Sequence, residues 1–313
     1  MNQKNYPIRY YLEYFGLFWL KKILTGMTHS ERYWLANFLG LVGYHFVPFR
    51  KKVIFANLQK AFPTQSNSWH CQIARKTYRH FAAVYLDICT VYELNDARFE
   101  QLISSVNSEV LEDALAECRG LVMVLFHFGN WEIMVDWLAR VGYPVAAVAA
   151  RLKNRLIDRI IMQMRTRHGL QIIPKGKRSN LRLLRQLKNN QILFLLADQD
   201  ARRNGIWIRF FNQWSSAFRG PILFASHRQS PVVLGTCLRE ASGKYSIHFE
   251  RLDTSLPPGN VSAVHFLTQK YTNYFENLIR QQPEQYYWFH RRWKTKPPQE
   301  IVNQQLDSLP CDR

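Results

Sequence analysis

Gly120-Leu121-Val122-Met123-Val124-Leu125-Phe126-His127-Phe128-Gly129-Asn130-Trp131-Glu132 decides how the rest of the chain is read. Six apolar residues in a row, Leu121 to Phe126, read as a strand buried on both faces, and Gly120 ahead of them suits a turn. The run ends at His127, and a helical pattern follows through Trp131, Ile133, Met134, Trp137 and Leu138. A histidine at a strand's carboxyl end, with a carboxylate in the first turn of the next helix, can form a His–carboxylate pair. Such a pair orients one imidazole nitrogen and leaves the other free to take a proton from a hydroxyl. The same residues equally suit a buried histidine bonded to backbone, beside a Glu that the helix dipole favours. Spacing alone leaves the two readings level.

Outward from this junction, the small-residue stretch Val145 to Ala150 ends at Arg151, and the apolar stretch Gln191 to Ala197 ends in Asp198-Gln199-Asp200. Residues 231–238 and 245–252 are further strand candidates, while 154–168 and 265–280 have helical periodicity. Residues 57–91 also read as helical, broken at Pro63-Thr64 with Thr64 or Ser66 as a cap. Residues 95–118 read as a short helix with connectors, and 207–214 as an aromatic loop. Wholly apolar strands alternating with helices predict an α/β fold, a mostly parallel central sheet flanked by helices. Ligands of such sheets sit at the carboxyl ends of the strands. His127, Arg151 and Asp198 each directly follow a predicted strand, so three polar groups should converge on one edge, which favours a working His127.

The formal charge of +19 over 313 residues predicts affinity for a polyanion: nucleic acid, an anionic membrane surface or an acidic partner. Five cysteines (Cys71, Cys89, Cys118, Cys237, Cys311) form no metal spacing, and their odd number suits reduced thiols better than a disulfide framework. The chain has no HExxH or Cys–His zinc pattern, no GxSxG elbow, no Walker A and no GxGxxG. No metal site is therefore expected, and a serine hydrolase is disfavoured. Between Tyr10 and Leu20 only Glu13 is charged; Tyr33 to Phe49 carries no formal charge and is followed at once by Arg50, Lys51 and Lys52. Aromatics flanked by a basic triplet fit a helix that lies in a membrane interface or inserts shallowly. Residues 1–52 are accordingly read as a membrane-associating helical segment and 53–313 as the catalytic domain.

Between Arg151 and Lys188, Lys177 included, stand twelve bases and one acid, Asp158, an imbalance that a solvated helix surface explains poorly. In Asp198-Gln199-Asp200-Ala201-Arg202-Arg203, Asp198 could hold an arginine while Arg202 or Arg203 meets a phosphate, or the cluster could be structural ion pairs. Tyr286 to Lys294 sets five aromatics beside His290, Arg291, Arg292 and Lys294: a base-stacking surface, an interface belt or a clamp for an anionic head group. Arg291 and Arg292 can grip phosphate or carboxylate in bidentate fashion. Backbone N–H groups near Gly129 are candidate oxyanion donors.

His127-x4-Glu132 resembles the HX4D/E signature of the glycerolipid and lysophospholipid acyltransferase superfamily. The motif is short, but Asn57-Leu58, Phe62-Pro63, the block from His127 to Glu132, Asp198-Gln199-Asp200, Phe210-Phe211 and Trp288 to Lys294 occur in the order seen in bacterial lipid A late (secondary) acyltransferases. The resemblance covers roughly residues 10 to 296. It implies transfer of a fatty acyl chain from acyl carrier protein to a hydroxyl of a lipid A precursor, at the cytoplasmic face of the bacterial inner membrane. It further implies His127 as general base with Glu132 its orienting partner, polar residues Arg151 and Asp198 near the site, and no cofactor. The partners it implies are acyl carrier protein, an anionic lipid acceptor and the membrane, with no nucleic acid. Where the family commonly has a Tyr-Arg-Pro-like segment, Ala150-Arg151-Leu152 keeps only the arginine, which puts acceptor details in question. Two alternatives stay open: a phospholipid or aminolipid acceptor, and, from another class, a basic nucleic-acid-binding protein whose His127 and Glu132 are structural.

Overall fold

The structure, a computed structural model, describes residues 6–176, 178–259 and 262–301; Lys177 and Cys311 lie outside them. Four helices come first: α1 (Ile8–Gly26), α2 (His29–His45), α3 (Lys51–Ala61) and α4 (Asn67–Thr90). Of the two caps expected after Pro63, Ser66 serves: its hydroxyl accepts the Trp69 N–H at 3.2 Å, an arrangement typically worth ~1 kcal/mol. Helices α1 and α2 form on the two hydrophobic stretches, yet no helix among the described residues is long and apolar enough to cross a membrane. Around Leu24, Ala36, Ala83 and Leu86 a small separate core ties them to α4. Ile8, Leu12, Trp19, Trp34 and Phe38 are left facing outward.

Next come α5 (Asp96–Glu100), the edge strand β1 (Ile103–Val106) and α6 (Glu109–Ala116), so a stretch read as helix and connectors also holds a strand. Strands and helices then alternate through β2 (Leu121–Leu125), α7 (Trp131–Arg140), β3 (Val145–Ala149), α8 (Arg155–Thr166), β4 (Gln171–Pro174), α9 (Ser179–Lys188) and β5 (Ile192–Leu196). The hairpin of β6 (Ile206–Phe210) and β7 (Gln213–Ala217) leads to α10 (Gly220–Arg228), β8 (Val232–Arg239), β9 (Tyr245–Arg251) and α11 (Ala263–Gln281). This hairpin replaces the expected aromatic loop. Ile208 and Phe210 alternate inward and are buried, as a half-covered strand requires.

Seven strands form one sheet in the order β1-β9-β8-β2-β5-β3-β4. The five from β8 to β4 are parallel; β9 returns antiparallel to β8 and carries β1 with it. The fold is thus α/β with a mostly parallel central sheet flanked by helices. Steps from β2 to β3 and β3 to β4 move one way along the sheet, whereas β4 to β5 and β5 to β8 move back. Right-handed crossovers therefore set α7 and α8 on one face and α9 and α10 on the other. Helices α1 and α4 pack on the α7–α8 side; α11 packs beside α10.

The aromatic run after α11 is neither a base-stacking surface nor an interface belt. Tyr286, Trp288, Phe289 and Trp293 are buried: Asn57 Nδ2 donates to the carbonyls of Trp288 (2.8 Å) and His290 (2.6 Å), and the Tyr287 N–H donates to the His127 carbonyl at 2.9 Å, which holds the run beside the carboxyl end of β2. Among the described cysteines all four are free thiols, Cys237 buried and Cys118 exposed.

Candidate active site

Strands β2 and β5 are parallel neighbours, with Leu125 opposite Leu196. The Ala197 N–H reaches the Leu125 carbonyl at 2.8 Å and carries the ladder past the strand ends. Two positions on, the same register sets His127 opposite Asp198, and the His127 Nδ1–H donates to Asp198 Oδ1 at 2.7 Å. A His–carboxylate pair therefore exists, but its acid is Asp198 and not the expected Glu132. Topology is the reason. The chain leaves β2 for β3 and only later returns to insert β5 between them, so the strand order reverses at this point, where α/β sheets place their ligands.

Asp198 is buried, at 3% exposure. Burial alone would push its carboxyl up, but the charge and hydrogen bonds of His127, with the nearby Arg292 guanidinium, hold it below the ordinary 3.8. The ionised carboxylate only accepts, so Nδ1 keeps its proton, and whenever the ring is neutral it is Nε2 that presents the lone pair. Tyr286 beside it is driven well above the usual phenol range, by burial first and then by the Asp198 charge, and stays neutral. The charge-assisted His127–Asp198 bond is worth ~1.5–3 kcal/mol. Asp198 thus does not hold an arginine while Arg202 or Arg203 meets a phosphate: it holds the histidine.

Glu132 also lines the cleft, but other partners hold it. The Tyr92 hydroxyl donates to Oε2 at 2.7 Å and Arg165 Nε at 3.1 Å, while Arg165 Nη2 takes Oε1. No hydrogen bond joins Glu132 to His127 among the described residues. Burial works against the Arg165 charge, but Glu132 more than offsets it and raises the guanidinium above its ordinary value. Burial, then Glu132, also pushes Tyr92 well up. Neither Tyr92 nor Arg165 was picked out as a site residue from the sequence. Arg165 was only one of the twelve bases, and the pairing of α8 with the start of α7 is visible only in three dimensions.

The turn between His127 and α7 is rigid. Asn130, fully buried, caps α7 by accepting the Ile133 N–H at 3.2 Å. Gly129 has φ +69, and a Cβ there would stand 2.0 Å from the Cys237 carbonyl oxygen, so only glycine fits. That closeness corrects the oxyanion assignment. The Gly129 N–H is bonded to the Gln285 carbonyl at 3.0 Å and the Asn130 N–H to Cys237 at 2.7 Å, which leaves neither free.

His127 opens onto a cleft of about 500 Å³ at the carboxyl ends of β2, β5 and β3, within the range of small-molecule sites. Its inner wall is apolar, through Val135, Ala147, Leu170 and Phe194, and Arg165, Lys175 and Gln199 bring polar groups to it. Arg151 does not join His127. It is exposed, 4.0 Å from Asp158, and lines an adjoining cavity of about 750 Å³ with Arg155 and Arg159. Arg202 and Arg291 are exposed and outside the cleft lining. Arg292 is 2% exposed and donates to the Ser216 carbonyl at 2.7 Å, supporting the site from beneath rather than facing a ligand. In the second acid of the Asp-Gln-Asp segment, Asp200 accepts the Thr295 hydroxyl at 2.7 Å and ties down the C-terminal run.

The sequence profile of the bacterial lipid A biosynthesis acyltransferase family matches residues 2–295 of this chain. Curated relatives include the phosphatidylinositol mannoside acyltransferase of Mycolicibacterium smegmatis, 25% identical over 224 residues, which cover 71% of this chain and 72% of that one. The Escherichia coli lipid A biosynthesis lauroyltransferase is 23% identical over 294 residues, and the palmitoleoyltransferase of the same organism 24% over 297, each match covering 92% of this chain and 93% of the relative.

Proposed function

The chain belongs to the bacterial lipid A biosynthesis acyltransferase family, and from that premise we propose that it moves a fatty acyl chain from acyl carrier protein to a hydroxyl of a lipid A precursor. The observation that carries this reading is the His127–Asp198 pair on the wall of an apolar cleft. The acyl chain lies along Val135, Ala147, Leu170 and Phe194. As the acceptor oxygen attacks the thioester carbonyl, its proton passes to His127 Nε2 and the C–O bond forms. The tetrahedral adduct then collapses: the C–S bond breaks and the departing thiolate takes the proton back from His127. Ester and free thiol are the products. Asp198 fixes the tautomer and stabilises the imidazolium, and general base catalysis of this type contributes ~10²–10⁴-fold.

Because the N–H groups at Gly129 and Asn130 are occupied, the oxyanion is met by Arg165, Lys175 or Gln199 from the cleft wall. Glu132 acts through Arg165, holding that guanidinium in place. The arginines of the adjoining cavity, Arg151, Arg155 and Arg159, suit phosphate groups of an anionic acceptor. Residues 1–52 seat the protein on the cytoplasmic face of the inner membrane through the outward apolar side chains of α1 and α2, and residues 53–313 carry the chemistry. No cofactor or metal takes part in this scheme. Similarity to a phosphatidylinositol mannoside acyltransferase supports a second acceptor class, a glycosylated phospholipid.

Radiolabelled lauroyl-acyl carrier protein with a lipid A precursor provides the test. His127→Ala should lower transfer by at least ~10²-fold; transfer at the wild-type rate would refute the assignment.

A further inference from the structure

Helices α9 and α10 lie together on the sheet face opposite α1 and α8. Between Arg159 and Arg239 the only carboxylates are Asp198 and Asp200, and both are engaged, the buried Asp198 by His127 and the half-buried Asp200 by Thr295. Helix α9 and the turn before it expose Arg178, Arg182, Arg185 and Lys188, none of which forms an ion pair among the described residues. Exposed at 61% in the midst of these charges is Leu181; on α10, Leu223 is 46% exposed. A shallow groove of about 270 Å³ runs between the two helices, lined by Leu181, Leu184, Arg185, Lys188, His227 and Arg228. Apolar side chains ringed by bases with no acid among them complement an acidic helix that shows a few apolar residues of its own.

Position narrows the partner. The outward apolar side chains of α1 and α2 lie on the other side of the sheet, so a protein seated by them on a bilayer turns α9 and α10 away from it. A macromolecule in solution is then what the basic face meets. Both helices also begin beside the cleft: Lys175 precedes α9, Phe218 precedes α10, and both line it. Helix α9 is about 15 Å long, so a ligand in the groove is within reach of the cleft mouth for an extended pantetheine arm.

We propose that the α9–α10 groove is the docking surface for the acidic carrier protein that delivers the acyl thioester, so that donor and acceptor enter the cleft from opposite sides. This deepens the reading under Proposed function and rests on it. The test compares two donors, lauroyl-acyl carrier protein and lauroyl-pantetheine, on the full chain. Arg182→Glu/Arg185→Glu should raise KM for the carrier-protein donor at least tenfold with kcat within twofold, and leave lauroyl-pantetheine kinetics unchanged. Leu181→Asp should act in the same direction.

Unchanged KM with the carrier protein, or an equal rise with both donors, would overturn the proposal. Loss of binding to phosphatidylglycerol vesicles in place of the KM effect would also overturn it and assign the face to lipid. Titration calorimetry with holo-acyl carrier protein reads docking without turnover. Weaker binding by the charge-reversed variant than by wild type upholds the surface even if wild type transfers from neither donor, a result that would count against the function alone.

Discussion

Replacing Asp198 with Asn keeps the shape of the side chain and removes its charge. In the wild type, Asp198 Oδ1 accepts the His127 Nδ1–H at 2.7 Å in a site only 3% exposed. If the new amide still accepts through its carbonyl oxygen, the imidazolium formed during transfer loses a charge-assisted bond worth ~1.5–3 kcal/mol. At ~1.36 kcal/mol per decade, kcat falls about 10- to 150-fold. If the amide turns its NH2 toward Nδ1, the imidazole takes the opposite tautomer, Nε2 carries the proton and the base is gone, a loss that reaches ~10⁴-fold. The expected fall therefore lies between about 10- and 10⁴-fold in kcat. Steady-state transfer from lauroyl-acyl carrier protein reads it, with circular dichroism to show that the variant is folded. A folded Asp198→Asn enzyme within about threefold of wild type would refute the reasoning. The pH dependence has a definite sign. A carboxyl held below 3.8 in the fold contributes stability that is complete above that pH and is lost as pH falls through the depressed folded value. The stability advantage of wild type over Asp198→Asn in urea unfolding should hold from pH 7 to about pH 5 and shrink below pH ~4.

Arg165→Met strips the buried Glu132 of its guanidinium partner and should cost ~3 kcal/mol in urea unfolding, whereas Glu132→Leu/Arg165→Met should cost less than the sum of the single changes. Additive costs would show that the pair is not coupled. Ala147 lines the cleft two strand positions, about 6.6 Å, deeper than Ala149. Ala147→Leu should therefore shift the preferred donor by about two methylenes toward shorter chains, each methylene being worth ~0.8 kcal/mol, as read by competition between acyl donors of different length. An unchanged preference would place the chain elsewhere. Trp34 and Phe38 stack with ring centroids 5.9 Å apart on the outer side of α2. If each half-inserted ring contributes on the order of 2 kcal/mol, Trp34→Ser/Phe38→Ser should weaken partition to phosphatidylglycerol vesicles by about three orders of magnitude in co-sedimentation, and equal partition would contradict the proposed seating.

Residues 121–125 and 192–196 announced themselves as strands because a run apolar at every position has few other homes. Strand β1 did not, since Ile103-Ser104-Ser105-Val106 is a short edge strand with half its length exposed, too polar for that signature. Hairpin β6–β7 hid for another reason: its aromatics pack on both sides of the turn at Phe211 and Asn212 and blur the alternation of period two. His127 was legible from its place at a strand end, and so was Asp198, but their partnership was not. It depends on β5 lying beside β2, a choice of neighbour that a separation of 71 positions along the chain conceals. Glu132 was close in sequence and proved the wrong acid, because the first turn of α7 directs it toward Tyr92 and α8. Arg292 shows the converse. A basic residue in an aromatic run suggested a ligand clamp, and burial against the Ser216 carbonyl made it a support.

The most direct test of the central claim is mass spectrometry of lipid A from cells lacking the gene, complemented with wild type or with His127→Ala at equal abundance. Wild type should restore one fatty acyl ester to the under-acylated lipid A, and His127→Ala should leave it missing. Full acylation in the His127→Ala cells, or lipid A unaltered by loss of the gene, would contradict the account.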